Sequence, residues 1–141
     1  MAVIIGIDYG RKRIGVAASD IGAKIAAPLA VIDAADRARA IREIARIAAE
    51  HEAAEIVVGM PRSLDGTLGP MAKETAAFIE ELHGALKIPV LSFDERLSTA
   101  QAEKAMIEAD MTRADRKKRL DKVAAQITLQ SYLDSRGKQN D

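Results

Sequence analysis

The chain has 141 residues, 48% of them hydrophobic, with 21 lysines and arginines balanced by 21 aspartates and glutamates and no cysteine. That length suits one domain over 1–141, which buries roughly two thirds of the surface its unfolded form exposes. Zero net charge gives no global attraction to nucleic acid, and the lack of cysteine excludes a disulfide framework, a thiolate nucleophile and a cysteine zinc site.

The opening run MAVIIGIDYG is too short for a signal peptide or a membrane span and meets an acid at once, so a cytoplasmic protein without membrane association is expected. Val3 to Asp8 and Ile14 to Ala18 read as two strands joined through Tyr9-Gly10-Arg11-Lys12-Arg13, a hairpin with its glycine early in the turn. Pro28 to Ile32 is a third strand. Asp33 and Asp36 offer N-cap signals for a helix that ends near Glu52, with Ile41, Ile44, Ile47 and Ala48 at helical spacing. Glu55 to Gly59 is a short apolar strand, and helical periodicity returns from Pro70, which suits a first turn, to Leu86. The strand Pro89 to Phe93 completes a βαβ unit, so the later strands should be parallel. Ser98 with Gln101 is a capping box for a helix to about Glu108, and Thr112 with Asp115 caps a last helix to about Asp134.

The order β-β-β-α-β-α-β-α-α predicts an α/β fold: a five-stranded mixed sheet, three antiparallel strands then two parallel, flanked by helices on both faces. In such a sheet the strand order reverses beside the first strand, and ligands bind in the crevice at the strand carboxyl ends. Asp8 ends the first strand and Glu95 lies just past the last. Carboxylates on rigid supports are hard oxygen ligands for magnesium, or manganese, and two such metals clamp the oxygens of an in-line displacement at phosphorus. A third acid should come from a helix packed over that end. Asp121 in RLDKVAAQITLQSYLD shares one side with Ala124, Ala125, Thr128 and Tyr132, and the small residues there would allow close approach to the sheet. Asp94 is assigned a structural role.

The loop GMPRSLDGTLGP, residues 59 to 70, leaves the fourth strand at the same end. Its glycines permit close backbone approach, and Arg62, Ser63 and Thr67 can donate to phosphate, although no Gly-Lys-Ser/Thr makes it a Walker loop. Arg11-Lys12-Arg13 and the run Arg113, Arg116, Lys117, Lys118, Arg119 read, as charge runs alone, as solvated faces. Their places beside the acids make Arg11, Lys12, Arg96, Arg116, Lys117 and Arg119, with Arg62, candidates to hold a nucleic-acid backbone without reading bases. His51 and His83 read as structural, Phe78 and Phe93 as core, and Tyr9 as either a base-stacking or a packing residue.

The blocks GIDYGRKRIGVAASD, VVGMPRSLDGTLGP, FDERLSTAQAE and RKKRLDKVAAQITLQSYLD together resemble the YqgF or RuvX-like family, the pre-16S rRNA nucleases of the ribonuclease H-like superfamily. They span nearly the whole chain, and as a set they are specific. The resemblance implies a ribonuclease H-like fold and a magnesium-dependent nuclease whose three acids fall on Asp8, Glu95 and Asp121. It also implies a role in maturing the 5′ end of the small-subunit rRNA, on structured RNA and as monomer or homodimer. The rival is a Holliday junction resolvase acting on branched DNA, the family's earlier description. A sugar-kinase or actin type ATP-binding fold shares the opening strand and Asp-x-Gly turn, but it closes two domains around its nucleotide and this length gives one. A non-catalytic nucleic-acid adaptor on the same fold is the remaining alternative.

Overall fold

The computed structural model of the chain describes residues 2–60, 69–94 and 113–139, of which 113–122 and 137–139 are given as helical backbone. Its elements are β1 (Val3–Asp8), β2 (Arg13–Ser19), β3 (Ala26–Asp33), α1 (Arg37–Glu50), β4 (Ala53–Met60), α2 (Pro70–Ala85), β5 (Val90–Asp94) and α3 (Arg113–Gln139). The sheet has the order β3-β2-β1-β4-β5. β2 is antiparallel to both of its neighbours, β1 and β3, and β4 and β5 run parallel to β1, as expected. The helix expected over 98–108, with its capping box, lies outside the described residues, as does the Thr112 cap.

Alternation along the strands sorts the core into two layers. On one face Ile5, Ile7, Ile14, Val16, Ile56 and Val58 pack against Ile41, Ile44 and Ile47 of α1 and Phe78 and Leu82 of α2. On the other, Ile4, Ala17, Ala26 and Val57 meet Ala125, Leu129 and Leu133 of α3. The small residues of the last helix do face the sheet: Ala124, Ala125 and Thr128 are all buried. Each fully buried isoleucine contributes about 1.5–3 kcal/mol relative to an exposed one.

Element ends depart from the sequence pattern for identifiable reasons. The third strand starts at Ala26, ahead of Pro28. Pro28 sits opposite Ala17 at a register shift on an outer strand, a place where proline is tolerated. Asp36 is the N-cap of α1, its carboxylate accepting from the Arg39 N–H, and the helix closes at His51 before Glu52 takes the left-handed conformation at φ 51°. The last helix continues beyond Asp134 to Gln139. Within that extension Arg136 donates to Glu55, which also accepts from the Tyr132 hydroxyl one turn earlier.

The β2–β3 turn is organised by Asp20, whose carboxylate accepts from the N–H groups of Lys24 at 2.8 Å and Ile25 at 3.1 Å, while Ala23 sits at φ 54°. The Ile25 bond, followed by that of Lys24, holds the Asp20 carboxyl below its ordinary pKa. A carboxyl with a depressed folded pKa adds stability above its unfolded pKa, near 3.9, and that increment is lost as pH falls through the folded value. Asp20→Ala should therefore melt below wild type at pH 7, with the gap closing progressively below about pH 4. Melting curves at neutral and acid pH check this; a gap that persists unchanged in acid would assign the loss to packing.

Candidate active site

Asp8 is the last residue of β1, the central strand, and lies opposite Gly15 of β2. Two residues before it, Gly6 touches α3 so closely that a Cβ there would stand 2.6 Å from the Leu129 Cβ. Strand alternation then puts Asp8 on the α3 face, with Ile4 and Gly6, while Ile5 and Ile7 face α1 and α2. At the same end of the sheet, Asp94 closes β5 opposite Met60 of β4. The chain continues from those two strand ends into the glycine loop and Glu95. Arg62, Ser63, Thr67, Glu95 and Arg96 all lie outside the described residues.

The direction of α3 fixes where Asp121 sits. Leu129 is level with Gly6, and Tyr132 reaches Glu55, which pairs with Ile4 one step toward the start of the strand. The helix therefore runs opposite to β1, and its earlier turns lie toward Asp8. Two strand residues advance about 6.7 Å and one helical turn of four residues about 6 Å. Ala125 therefore lies on the Asp8 side of Leu129, and the backbone of Asp121 one turn farther in the same direction, on the four-residue row it shares with Ala125, Leu129 and Leu133. Arg116, Lys117 and Arg119 occupy the turn before it, in helical backbone. Among the described residues no group of three His, Cys, Asp or Glu side chains could hold a metal ion, and of the three predicted acids only Asp8 has a described side chain.

The turn after Asp8 is held from the α2 side. A Cβ at Gly10 would meet the Arg13 carbonyl oxygen at 2.6 Å, so the tight turn requires glycine. The Tyr9 ring stacks on Phe78 at 4.6 Å, and its hydroxyl accepts from Arg37 at 3.0 Å. Of the two readings of Tyr9, packing is the one seen. Arg37 also pairs with Glu81 at 3.2 Å, and Arg11 donates to Glu74 at 2.9 Å, a bond that holds the Glu74 carboxyl below its usual range. Arg11, a candidate backbone contact, thus also ties the turn to the second turn of α2. Lys12 is exposed, and its carbonyl accepts from the Ala34 N–H. The sequence pointed to none of Arg37, Glu74 or Glu81; each lies far along the chain from its partner, and no local spacing marks the pairs.

A family model described as "RuvX: Holliday junction resolvase" matches residues 2–135. The chain belongs to the RuvX family. Relatives carrying the name "Putative pre-16S rRNA nuclease" include one from Thermoanaerobacter pseudethanolicus, 44% identical over 133 residues that cover 94% of this chain and 96% of the relative. Another, from Halothermothrix orenii, is 46% identical over 135 residues, 96% of each chain. Among solved structures, Thermus thermophilus RuvC superposes with a TM-score of 0.57 at 13% identity over 96% of both chains. The Fowlpox virus resolvase, solved with substrate Holliday junction DNA, gives 0.56 at 17% identity over 94% of this chain and 97% of that one. At such identities the likeness to the solved structures is one of fold, and it places this RuvX-family sheet in the ribonuclease H-like class.

Among the described residues, no helix is long and apolar enough to cross a membrane.

Proposed function

We propose that this RuvX-family chain is a cytoplasmic, single-domain, divalent-metal-dependent nuclease that hydrolyses phosphodiester bonds of structured RNA, acting in 5′-end maturation of pre-16S rRNA. What supports the reading is that the tip of β1 with Asp8 and the end of β5, one residue before Glu95, lie at the same end of the sheet, and that α3 runs back toward that end with Asp121 in its earlier turns. A donor set made of carboxylates on a strand tip and a packed helix fits a hard cation such as magnesium or manganese. Asp8, Glu95 and Asp121 would hold the metal, which when bound supplies a hydroxide nucleophile and charge stabilisation at phosphorus. The remaining work falls to cations and donors that hold the backbone: Lys12, Arg62, Ser63, Thr67, Arg96, Arg116, Lys117 and Arg119, with Arg11 anchoring the turn.

RNA is favoured over branched DNA because the relatives named for pre-16S rRNA share over two fifths of their residues with this chain across nearly its full length. The resolvases share its fold at 13% and 17% identity. The decisive experiment incubates the purified protein with a structured RNA carrying the 16S 5′ precursor and with a four-way DNA junction, each with magnesium and with chelator. Cleavage of the RNA alone, and only with metal, is the expected result. Cutting of the junction alone would make the protein a resolvase, and binding without cutting would make it an adaptor.

A further inference from the structure

The residue after Asp8 is gripped from the layer opposite the one Asp8 faces. Tyr9 packs into the α1 and α2 layer, where its ring stacks on the fully buried Phe78 at 4.6 Å with 24° between the planes. Its hydroxyl accepts from one Nη of Arg37 at 3.0 Å, and the guanidinium carbon stands 5.7 Å from the ring centroid. The other Nη of Arg37 donates to Glu81 at 3.2 Å, one turn after Phe78 on α2. One guanidinium thus joins the first residue of α1, the sheet-facing side of α2 and the neighbour of Asp8. Helix formation gives no reason for an arginine there. The first turn of α1 reads Arg37-Ala38-Arg39-Ala40, and the N-terminal end of a helix disfavours a cation. Stability gives little more, since the Arg37 and Glu81 side chains are 36% and 46% exposed and ion pairs so placed contribute little.

We propose that Arg37 is a positioning residue for the Asp8 carboxylate, acting through the Tyr9 hydroxyl on the peptide that joins Asp8 to Tyr9. The role rests on the nuclease reading above, since it requires a cation at Asp8. On its upstream side the Asp8 backbone is set by pairing with Gly15. Downstream the strand ends, and the chain enters the tight turn at Gly10. With Tyr9 held at both ring and hydroxyl, the peptide after Asp8 has little freedom to rotate, and the Cα–Cβ bond of Asp8 keeps one direction. Magnesium demands near-octahedral geometry at about 2.0–2.1 Å, and a ligand constellation works only within about 0.5 Å of its productive arrangement. Stacking on Phe78 alone would let the Tyr9 ring slide in its own plane, and the bond from Arg37 stops that slide. Glu81 in turn keeps the guanidinium beside Tyr9 and out of solvent.

The test compares full-length wild type with Tyr9→Phe, Arg37→Ala, the two together, and Arg37→Lys. Manganese binding is measured by calorimetry without RNA, and cleavage of the precursor RNA is followed as magnesium is raised. Tyr9→Phe keeps the stacked ring and removes only the hydroxyl. It and Arg37→Ala should each weaken manganese binding about tenfold, the low end for groups that support a metal ligand, and raise the magnesium needed for half-maximal rate by the same factor. The double variant should lose no more than Arg37→Ala, because both changes delete one interaction, and Arg37→Lys should recover part of the loss. KM for RNA at saturating magnesium should not move, and every variant should melt within about 4 °C of wild type. Wild-type manganese binding in Tyr9→Phe and Arg37→Ala, or additive losses, overturns the positioning role while the nuclease reading stands. So does a plot of log RNA affinity against log salt, measured in chelator, that Arg37→Ala flattens by about 0.7 to 0.9, since Arg37 would then touch phosphate itself. A wild-type protein that binds no manganese and cuts no RNA overturns both.

Discussion

Replacing Asp8 by asparagine is expected to abolish cleavage while leaving the fold intact. Asparagine has the same shape and keeps one oxygen, so the substitution removes charge and little else. The strand that carries it is held by Ile4, Ile5 and Ile7, all buried, and its pairing with β2 and β4 does not depend on the carboxylate. The loss should exceed the roughly tenfold to hundredfold typical of groups that only support a metal ligand. If Asp8 and Asp121 hold the same metal, adding Asp121→Asn to Asp8→Asn should cost no further activity, because residues that act as a unit do not add. Single-turnover cleavage rates with saturating magnesium, beside melting curves for each protein, give the answer. Wild-type rates in Asp8→Asn would remove it from the site, and fully additive losses would separate the two acids.

The second large effect is expected from Gly6→Ala, a single methyl group. The new Cβ would stand 2.6 Å from the Leu129 Cβ, closer than such atoms approach. Leu129 is fully buried between Ala125 and Leu133, so α3 itself must move outward. Overpacking of this kind costs about 1–3 kcal/mol. Trimming Leu129 to alanine should not rescue it, since the clash is with the Cβ that alanine keeps, and the cavity adds its own penalty. The displaced helix also carries Asp121 one turn beyond Ala125, so activity measured well below the melting temperature should fall along with stability. A Gly6→Ala protein that melts and cuts like wild type would show that α3 does not set the site.

What the sequence made legible was whatever repeats at short range. The alternation in Val3 to Asp8 placed Asp8 at a strand tip, Asp36 marked the start of α1, and the spacing of Ala124, Ala125 and Thr128 marked the sheet-facing stripe of α3. Contacts between distant segments were not legible. Arg11 and Glu74 are 63 residues apart and Tyr132 and Glu55 are 77 apart, and nothing local announces either pair. Tyr9 illustrates the limit: an aromatic next to an acid is equally consistent with a base or a neighbour, and only Phe78 and Arg37 decide it. Pro28 misled for a related reason, since proline reads as a strand boundary until the strand is known to lie on the outside of the sheet.

The docking of α3 across β1, β2 and β3 also has a kinetic side. Hairpin pairing of β1 with β2 and β2 with β3 joins near neighbours, whereas Gln130 meets Ala26 across 104 residues. Contacts of such long separation form slowly, because the ordering of the intervening chain comes before any gain from closing it. The sheet can thus assemble its α1 and α2 side first and stand with Ile4, Ala17 and Val57 uncovered until the helix arrives. On this topology the tip of β1 is expected to form before α3 completes the enclosure on the face of Asp8, so the order in which the chain folds would also be the order in which it becomes able to act.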